Sequence, residues 1–212
     1  MPTYKEGGSI VKFRKNLTIP LFFLIVGLCS YIFIFPNPKK EGYHSINVAG
    51  ANWGNLEVLI EKQEKKQLDI DLEGKTIAVF FGYLSCPDFC PNHLSKMVSV
   101  KNMLPEKIRD QFAVIFISVD PERDKTLNLK QFVRSFDKNF DGFVPDKTHL
   151  AVLKDEFKLV VNKSSKTEFG NYLIDHYTYT YLYDKNKSLK LLIPFEMSID
   201  KIVKDIQGVH SG

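Results

Sequence analysis

Hydrophobic residues follow two different patterns along the 212 residues of the chain. Residues 17–35 form one long apolar run without a charged side chain, whereas apolar positions beyond about residue 56 come in short, spaced segments. A helix over the long run would measure about 28 Å, close to the hydrocarbon thickness of a bilayer. A core helix of that length would carry a polar face, and this run lacks one. The pattern therefore predicts one N-terminal transmembrane helix at residues 17–35.

Two other interpretations of the long run, a cleaved signal peptide and a lipid anchor, fit its sequence less well. A signal peptide normally ends in a cleavage site of small residues, and residues 33–38 (FIFPNP) offer none. Lipid modification of Cys29 normally requires a small residue before it, where this chain has Leu28. An uncleaved single-span anchor is therefore the preferred interpretation.

The charges that flank the run predict its orientation in the membrane. Four basic residues lie within residues 1–16, and only Lys39 and Lys40 follow the run closely. Because basic residues accumulate on the cytoplasmic side, residues 1–16 are expected in the cytoplasm and residues 36–212 across the membrane. The amino end is neither Arg-rich nor Ser-rich, which favours a bacterial inner membrane over organelle import. The soluble domain is then expected in the periplasm.

The rest of the chain divides into a linker and a folded domain. Residues 36–54 are rich in Pro, Asn and Gly and are predicted to be a linker, so that the domain spans residues 55–212. Within residues 55–75, short alternating apolar segments flank a charged turn and predict a β-hairpin, with a solvated loop as the alternative. Apolar spacing then predicts strands at 76–81 and 112–117 with a helix between them, a helix around 129–136, a short strand at 143–144, a helix at 148–158, strands at 159–161, 177–183 and 189–193, and a last helix after Ser198. This order predicts an α/β domain with a mixed sheet flanked by helices.

Composition argues against two kinds of protein, a nucleic-acid-binding protein and a scaffold held by disulfides. The net charge of +4 comes from basic residues spread along the chain, without a dense basic cluster interleaved with aromatic residues, so nucleic-acid binding is not expected. Three cysteines are too few for a scaffold held together by disulfides. The cysteines matter because of where two of them lie.

Cys86 and Cys90 follow the first predicted core strand at a predicted helix start. Pro91 suits the first position of a helix, and the partial positive charge of a helix N-terminus favours thiolate over thiol. Thiolates exchange with disulfides and bind soft metals. Thioredoxin-type oxidoreductases place two residues between their cysteines, whereas here there are three. That spacing permits a disulfide and also lets both sulfurs bind one ion, with two unrelated thiols as the alternative.

A soft metal bound by two sulfurs needs at least one more ligand, and imidazole is the usual choice. Cu(I) suits such a site, and Zn(II) would also fit. His176 is the best-placed histidine, because it follows Asp175 at the entrance of the aromatic strand predicted at 177–183. In a thioredoxin-like fold this entrance faces the thiol loop and normally carries a cis-proline, which is absent here. The remaining histidines are weaker candidates: His93 as an outside ligand, and His44, His149 and His210 as surface residues.

Four sequence blocks resemble the Sco/SenC family, the membrane-anchored, thioredoxin-like copper chaperones of cytochrome c oxidase assembly. They are FGY at 81–83 with CPDFCP at 86–91, ISVDPERD at 117–124, DH at 175–176, and YLYD at 181–184. The resemblance extends from residue 76 to about residue 207 and implies a thioredoxin-like domain. It implies Cys86, Cys90 and His176 as the copper ligands, with Cu(I) and also Cu(II) as the bound ion.

The resemblance also implies a function. The protein is expected to deliver copper to the dinuclear copper site of cytochrome c oxidase subunit II, and to receive it from an upstream copper donor or be reduced by a thiol reductant. It is expected to be a carrier rather than an enzyme. The alternative is a thiol–disulfide oxidoreductase or redox sensor acting on the cysteines of the oxidase copper site, with Cys86 and Cys90 as the redox pair.

Neighbouring acidic residues are expected to support the site. Asp175 would orient His176 through a hydrogen bond. Asp88 lies between the two thiols and would either take part in the site or cap the loop. Residues 120–124 are expected to shape the turn next to the thiol loop.

Overall fold

A computed structural model describes residues 43–47, 54, 56, 70–164, 172–176 and 179–212, without the side chains of Asn47, Asp175 and His176. These residues form eight strands and five helices. The strands are β1 (Ile46–Asn47), β2 (Thr76–Gly82), β3 (Phe112–Ser118), β4 (Phe140–Phe143), β5 (Val161–Lys163), β6 (Ile174–His176), β7 (Tyr179–Tyr183) and β8 (Leu189–Pro194). The helices are α1 (Phe89–Met103), α2 (Glu106–Arg109), α3 (Thr126–Arg134), α4 (Lys147–Glu156) and α5 (Ile199–Ser211).

Six of the strands form one mixed sheet in the order β1-β8-β7-β2-β3-β4. Strand β2 runs parallel to β3 and β3 parallel to β4, while β7 and β8 are antiparallel to each other and β7 is antiparallel to β2. This confirms the predicted mixed sheet flanked by helices, of the thioredoxin-like type. Gly82 is in register with Ser118, so β2 and β3 end at the same edge of the sheet. The loops that follow them, which include the cysteines and residues 120–124, therefore lie side by side.

Both faces of the sheet are buried, which explains the uninterrupted apolar runs of its central strands. Along β2, Ile77, Val79 and Phe81 pack into one hydrophobic core, and Ala78 and Phe80 pack into the other. Helix α4 contributes to the first core, whereas α1, α3 and α5 contribute to the second. Strands β2 and β3 are buried along their whole length. The strand that ends at the cysteine loop is therefore held in the core along its whole length.

Several predicted elements are present with shifted ends. The predicted strand at 143–144 ends at Phe143, and the one predicted at 159–161 begins only at Val161. The second shift arises because Lys158 adopts a left-handed conformation (φ 50°) and the Leu159 N–H bonds back to Lys154 O at 2.9 Å. Helix α2 and strand β6 were not predicted, and most of the hairpin predicted at 55–75 lies outside the described residues.

The folded domain begins earlier than predicted, because residues 43–47 pack on it although they fall within the predicted linker. Strand β1 pairs with β8 at the edge of the sheet. The buried carboxylate of Asp205 in α5 accepts hydrogen bonds from the backbone N–H groups of His44 (2.8 Å) and Ser45 (2.7 Å). Among the described helices, none is long and apolar enough to cross a membrane. The span predicted at residues 17–35 lies outside the described residues.

Candidate metal site at the cysteine loop

The cysteine loop is a tight turn between β2 and α1 that depends on Gly82. A Cβ atom at Gly82 would lie 2.7 Å from Cys90 Sγ and 2.7 Å from Phe116 Cζ, closer than packed atoms approach. Glycine therefore allows the first turn of α1 to approach the end of the strand. The Cys86 N–H donates to Tyr83 O at 3.2 Å and closes the turn. The fold thus brings both cysteines together at one edge of the sheet.

The two cysteines are free thiols in different environments. Cys86 is half-buried, whereas Cys90 is fully buried against the second core. The Cys90 thiol donates to Cys86, and the backbone N–H groups of Cys90, Phe89 and Asp88 also point at the Cys86 sulfur. The Cys90 N–H lies 3.4 Å from Cys86 Sγ. These donors lower the pKa of Cys86 to about 6, despite partial burial.

The pKa of Cys90 is shifted in the opposite direction from that of Cys86. Its hydrogen bond to Cys86, together with burial, raises its pKa well above the ordinary value for a thiol. At neutral pH the pair therefore consists of an accessible thiolate at Cys86 and a buried thiol at Cys90. This pair can attack a disulfide, form a disulfide of its own, or bind a soft metal through two sulfurs once Cys90 loses its proton.

Tyr83 connects the cysteine loop to the strand that carries His176. Its hydroxyl accepts a hydrogen bond from the Ile174 N–H at 3.2 Å and donates towards the Cys86 sulfur. Burial raises the pKa of Tyr83, and the two cysteines add to the shift. Because Ile174 is two residues from His176 in β6, this bond brings the His176 backbone to the neighbourhood of the thiols. Sequence patterns assigned Tyr83 no role of its own, although its polar end beside Gly82 in the loop was a usable signal.

The side chains of His176 and Asp175 lie outside the described residues, so the three predicted ligands are not seen together. Among the side chains that are described, no group of three His, Cys, Asp or Glu residues could hold a metal ion. The backbone of His176 pairs with Val161 in the two-stranded sheet of β5 and β6. Asp88 is exposed and makes no capping hydrogen bond with its side chain. It contributes to the loop through its backbone, because its carbonyl accepts from the Asn92 N–H at 3.1 Å.

The side chains of three of the four other histidines form hydrogen bonds with residues outside the cysteine loop. His93 is buried, with Nε2 2.8 Å from Thr180 Oγ1 and its ring 4.4 Å from that of Phe80. His149 bonds Asp146 at the start of α4, through Nδ1 to Oδ2 at 2.6 Å. His44 is exposed, as expected. His210, which was expected on the surface in the C-terminal tail, lies in α5 with Nδ1 3.0 Å from Thr76 Oγ1, and partial burial lowers its pKa.

The loop after β3 contacts the cysteine loop directly through Asp124. The buried Asp124 carboxylate accepts from the Leu84 N–H at 3.1 Å and from Ser118 Oγ at 2.6 Å. Burial raises the pKa of Asp124. Residues 120–124 therefore do more than shape their own turn, since one of them fixes the backbone just before Cys86.

Comparison with known proteins places this site in a family context. The SCO1/SenC family model matches residues 56–211. A SCO2-like protein of Rickettsia typhi is 30% identical over 175 residues, which cover 81% of this chain and 86% of the relative. The structure of Bradyrhizobium japonicum ScoI with copper bound is 31% identical, with a TM-score of 0.58 over 65% of this chain and 87% of that one. Yeast Sco1 with copper bound is 26% identical, with a TM-score of 0.55 over 64% and 78%.

The matches to these relatives agree with the family that the four sequence blocks implied and with the fold of the mixed sheet. Copper, the metal expected from the sequence, is the metal bound in the Bradyrhizobium and yeast structures. The match of the family model covers most of the folded domain, including both cysteines and His176. The chain belongs to the SCO1/SenC family.

Proposed function

We propose that this protein is a copper chaperone that binds one copper ion through Cys86, Cys90 and His176. The observation that carries the proposal is the cysteine pair itself: a thiolate at Cys86, in the loop after the central strand, 3.4 Å from the N–H of Cys90 in the first turn of α1. Two thiolates and an imidazole form a ligand set suited to Cu(I), and the imidazole also suits Cu(II). The copper-bound relatives from Bradyrhizobium and yeast support the choice of metal.

The chain's own residues prepare the site for a cation. The hydrogen bond from the Cys90 thiol, together with the N–H groups around the start of α1, keeps Cys86 deprotonated, so that copper displaces only the proton of Cys90. Asp175 orients His176, and Tyr83 connects the strand of His176 to the loop. Asp88 adds negative charge at the exposed rim.

The recipient of the copper is the dinuclear copper site of cytochrome c oxidase subunit II, and an upstream copper donor or thiol reductant loads the carrier. The anchor at residues 17–35 keeps the domain at the outer face of a bacterial inner membrane. The sequence supports this assignment through the resemblance of the four blocks to the oxidase-assembly chaperones and through the basic residues at 1–16.

The ligand set is tested by copper content of the full chain, purified in detergent without oxygen. The wild type is expected to hold about one Cu(I) per chain, and His176→Ala much less while both thiols stay titratable. His149→Ala is the matched control, because His149 pairs with Asp146 at the start of α4. Copper content at the wild-type level in His176→Ala would exclude His176 as a ligand.

A second candidate function, thiol–disulfide exchange, is favoured by the asymmetry of the two sulfurs. The Cys86 thiolate would attack a partner disulfide and release one partner sulfur as a thiolate. Cys90, after losing its proton, would then displace the second partner sulfur and leave a Cys86–Cys90 disulfide. This reaction needs no histidine, so His176→Ala should keep reductase activity and lose copper, whereas Cys86→Ser should lose both.

A further inference from the structure

Strand β6, which carries His176, lies outside the main sheet. Within the described residues its ladder partner is β5, and the two strands form a separate two-stranded sheet. The main sheet therefore does not fix the distance between His176 and the cysteines through strand pairing. Contacts between the β5–β6 hairpin and the rest of the domain help to do so. Ile174 is buried in the first core, and three polar contacts add to this packing.

The most extensive polar contact is a partly buried cluster of Asp120, Arg123 and Tyr172, named here the Arg123 cluster. The guanidinium of Arg123 lies 3.6 Å from the centroid of the Tyr172 ring, and Nη1 donates to Tyr172 O at 3.0 Å. Arg123 also pairs through Nε with the carboxylate of Asp120, which is fully buried. The Tyr172 hydroxyl donates to the other oxygen of that carboxylate at 2.8 Å. Each member thus bonds the other two.

Two smaller contacts act on the same hairpin. The Tyr83 hydroxyl accepts from the Ile174 N–H, two residues after Tyr172. The Lys163 ammonium of β5 lies 2.7 Å from Glu122, but both side chains are more than two-fifths exposed. An exposed ion pair contributes little, and Tyr83 supplies a single hydrogen bond. The Arg123 cluster, in which a stacked ring, an ion pair and two further hydrogen bonds are linked, is therefore the most extensive of the three polar contacts.

The loop that supplies Asp120 and Arg123 also supports the other half of the site. Asp124 of this loop accepts from the Leu84 N–H, immediately before the thiols. One short segment after β3 therefore contacts the cysteine loop at one end and the His176 hairpin at the other.

We propose that Asp120, Arg123 and Tyr172 are positioning residues, which set the strand of His176 opposite Cys86 and Cys90. They do not bind copper themselves, and they act through His176. This inference rests on the proposed function, since it requires His176 to be a ligand. A planar guanidinium that stacks and donates at once suits this role, and neither Lys nor Gln reproduces it.

The test is a double-mutant cycle on the full chain, with Cu(I) affinity measured by competition with a chelator. Arg123→Gln is expected to weaken Cu(I) binding by about 10–100-fold, the range found for residues that orient metal ligands. In a His176→Ala background the same substitution should have no further effect, because the residue through which Arg123 acts is gone. Equal effects in both backgrounds would show a general structural role and overturn the proposal.

The spectrum of the Cu(II) form gives a second readout. The electron paramagnetic resonance spectrum of Arg123→Gln should shift towards that of His176→Ala, while the rate of Cys86 alkylation stays at the wild-type value. Arg134→Gln is the matched control, because Arg134 pairs with a fully buried carboxylate, Asp141, at 2.9 Å on a different strand. It should leave both affinity and spectrum unchanged, and wild-type behaviour of Arg123→Gln would overturn the proposal.

Two further variants keep the test decisive. If Arg123→Gln fails to fold, Tyr172→Leu removes the stacked ring from the partly buried end of the cluster and should weaken Cu(I) binding in the same His176-dependent way. Wild-type affinity in Tyr172→Leu would then overturn the proposal. The proposed function fails separately, if His176→Ala itself keeps wild-type affinity and spectrum.

Discussion

The two halves of the candidate site are attached to the protein in different ways. The cysteine loop is built into the main chain, between a central strand with seven buried residues and the first turn of α1. The hairpin that carries His176 has three-residue strands and contacts the domain through buried Ile174, Tyr83 and side chains of the loop after β3. We infer that the thiols are permanently arranged, whereas the third ligand depends on a few contacts. Such a difference suits a carrier that must both bind and release a metal.

The largest expected effect comes from removing either thiol of the cysteine loop. Cys86→Ser or Cys90→Ser should reduce copper content of the full chain from about one ion to nearly none, because two sulfurs supply most of the affinity for Cu(I). Cys29→Ser is the control within the same chain and should keep its copper. Equal loss in all three variants would show that the loop is not the site.

Crowding the loop should have the next largest effect. A methyl group at Gly82 would meet Cys90 Sγ and the Phe116 ring, so Gly82→Ala should lower the free energy of unfolding by about 1–3 kcal/mol. Cu(I) affinity should fall as well, because α1 must move away from β2. Urea unfolding and chelator competition measure the two effects.

Gly208→Ala controls for crowding away from the site. Its Cβ would lie 2.8 Å from the Tyr43 ring, and no atom of the cysteine loop is among its three nearest contacts. This variant should leave Cu(I) affinity at the wild-type value. If it weakens copper binding as much as Gly82→Ala does, crowding at the loop is not the cause.

The pH dependence of Cys86 alkylation tests whether the thiols are independent of His176. The pKa of Cys86 is about 6, so its alkylation rate should be flat above pH 7 and fall about tenfold per pH unit below pH 5, as the thiolate is protonated. Cys90→Ala removes the strongest donor and should move this profile to higher pH. His176→Ala should leave the profile unchanged, and a shift in that variant would contradict the independence of the halves. Mass spectrometry of alkylated peptides measures the rate at each thiol.

The smallest expected effect concerns the exposed contact of the hairpin. Glu122→Gln removes the ion pairs to Lys163 and Lys147, which hold the pKa of Glu122 near 2. Exposed pairs are screened by water and salt, so Cu(I) affinity should change by less than about threefold. A fall in affinity as large as that of Arg123→Gln would show that the exposed ion pairs of Glu122, and not the Arg123 cluster, position His176.

The sequence located the elements around the cysteine loop better than the strand that carries His176, and the reason is physical. Strands such as β2 and β3 are buried on both faces and leave long apolar runs, which end where Gly82 and Cys86 begin. Strand β6 is too short to show a period. Its position depends on Arg123 and Tyr172, which are 49 residues apart in sequence. No local pattern reveals such a contact.

The start of the domain could not be predicted either, because it too depends on contacts between residues that are distant in sequence. Ile46 and Asn47 form a two-residue strand that lies in a segment rich in Pro, Asn and Gly. The segment is fixed by Asp205, about 160 residues further along the chain. Composition predicted a linker there because it reports local preference and not distant hydrogen bonds. The thiol pair at Cys86 and Cys90 could be located from the sequence, since its motif is local.

The most direct test of the central claim is X-ray absorption spectroscopy of the Cu(I)-loaded full chain, compared with two histidine variants. Two sulfur ligands and one nitrogen ligand are expected in the wild type, with loss of the nitrogen in His176→Ala. His93→Ala should keep the nitrogen, because His93 is bonded to Thr180 within the core. A nitrogen ligand that persists in His176→Ala and disappears in His93→Ala would contradict the account.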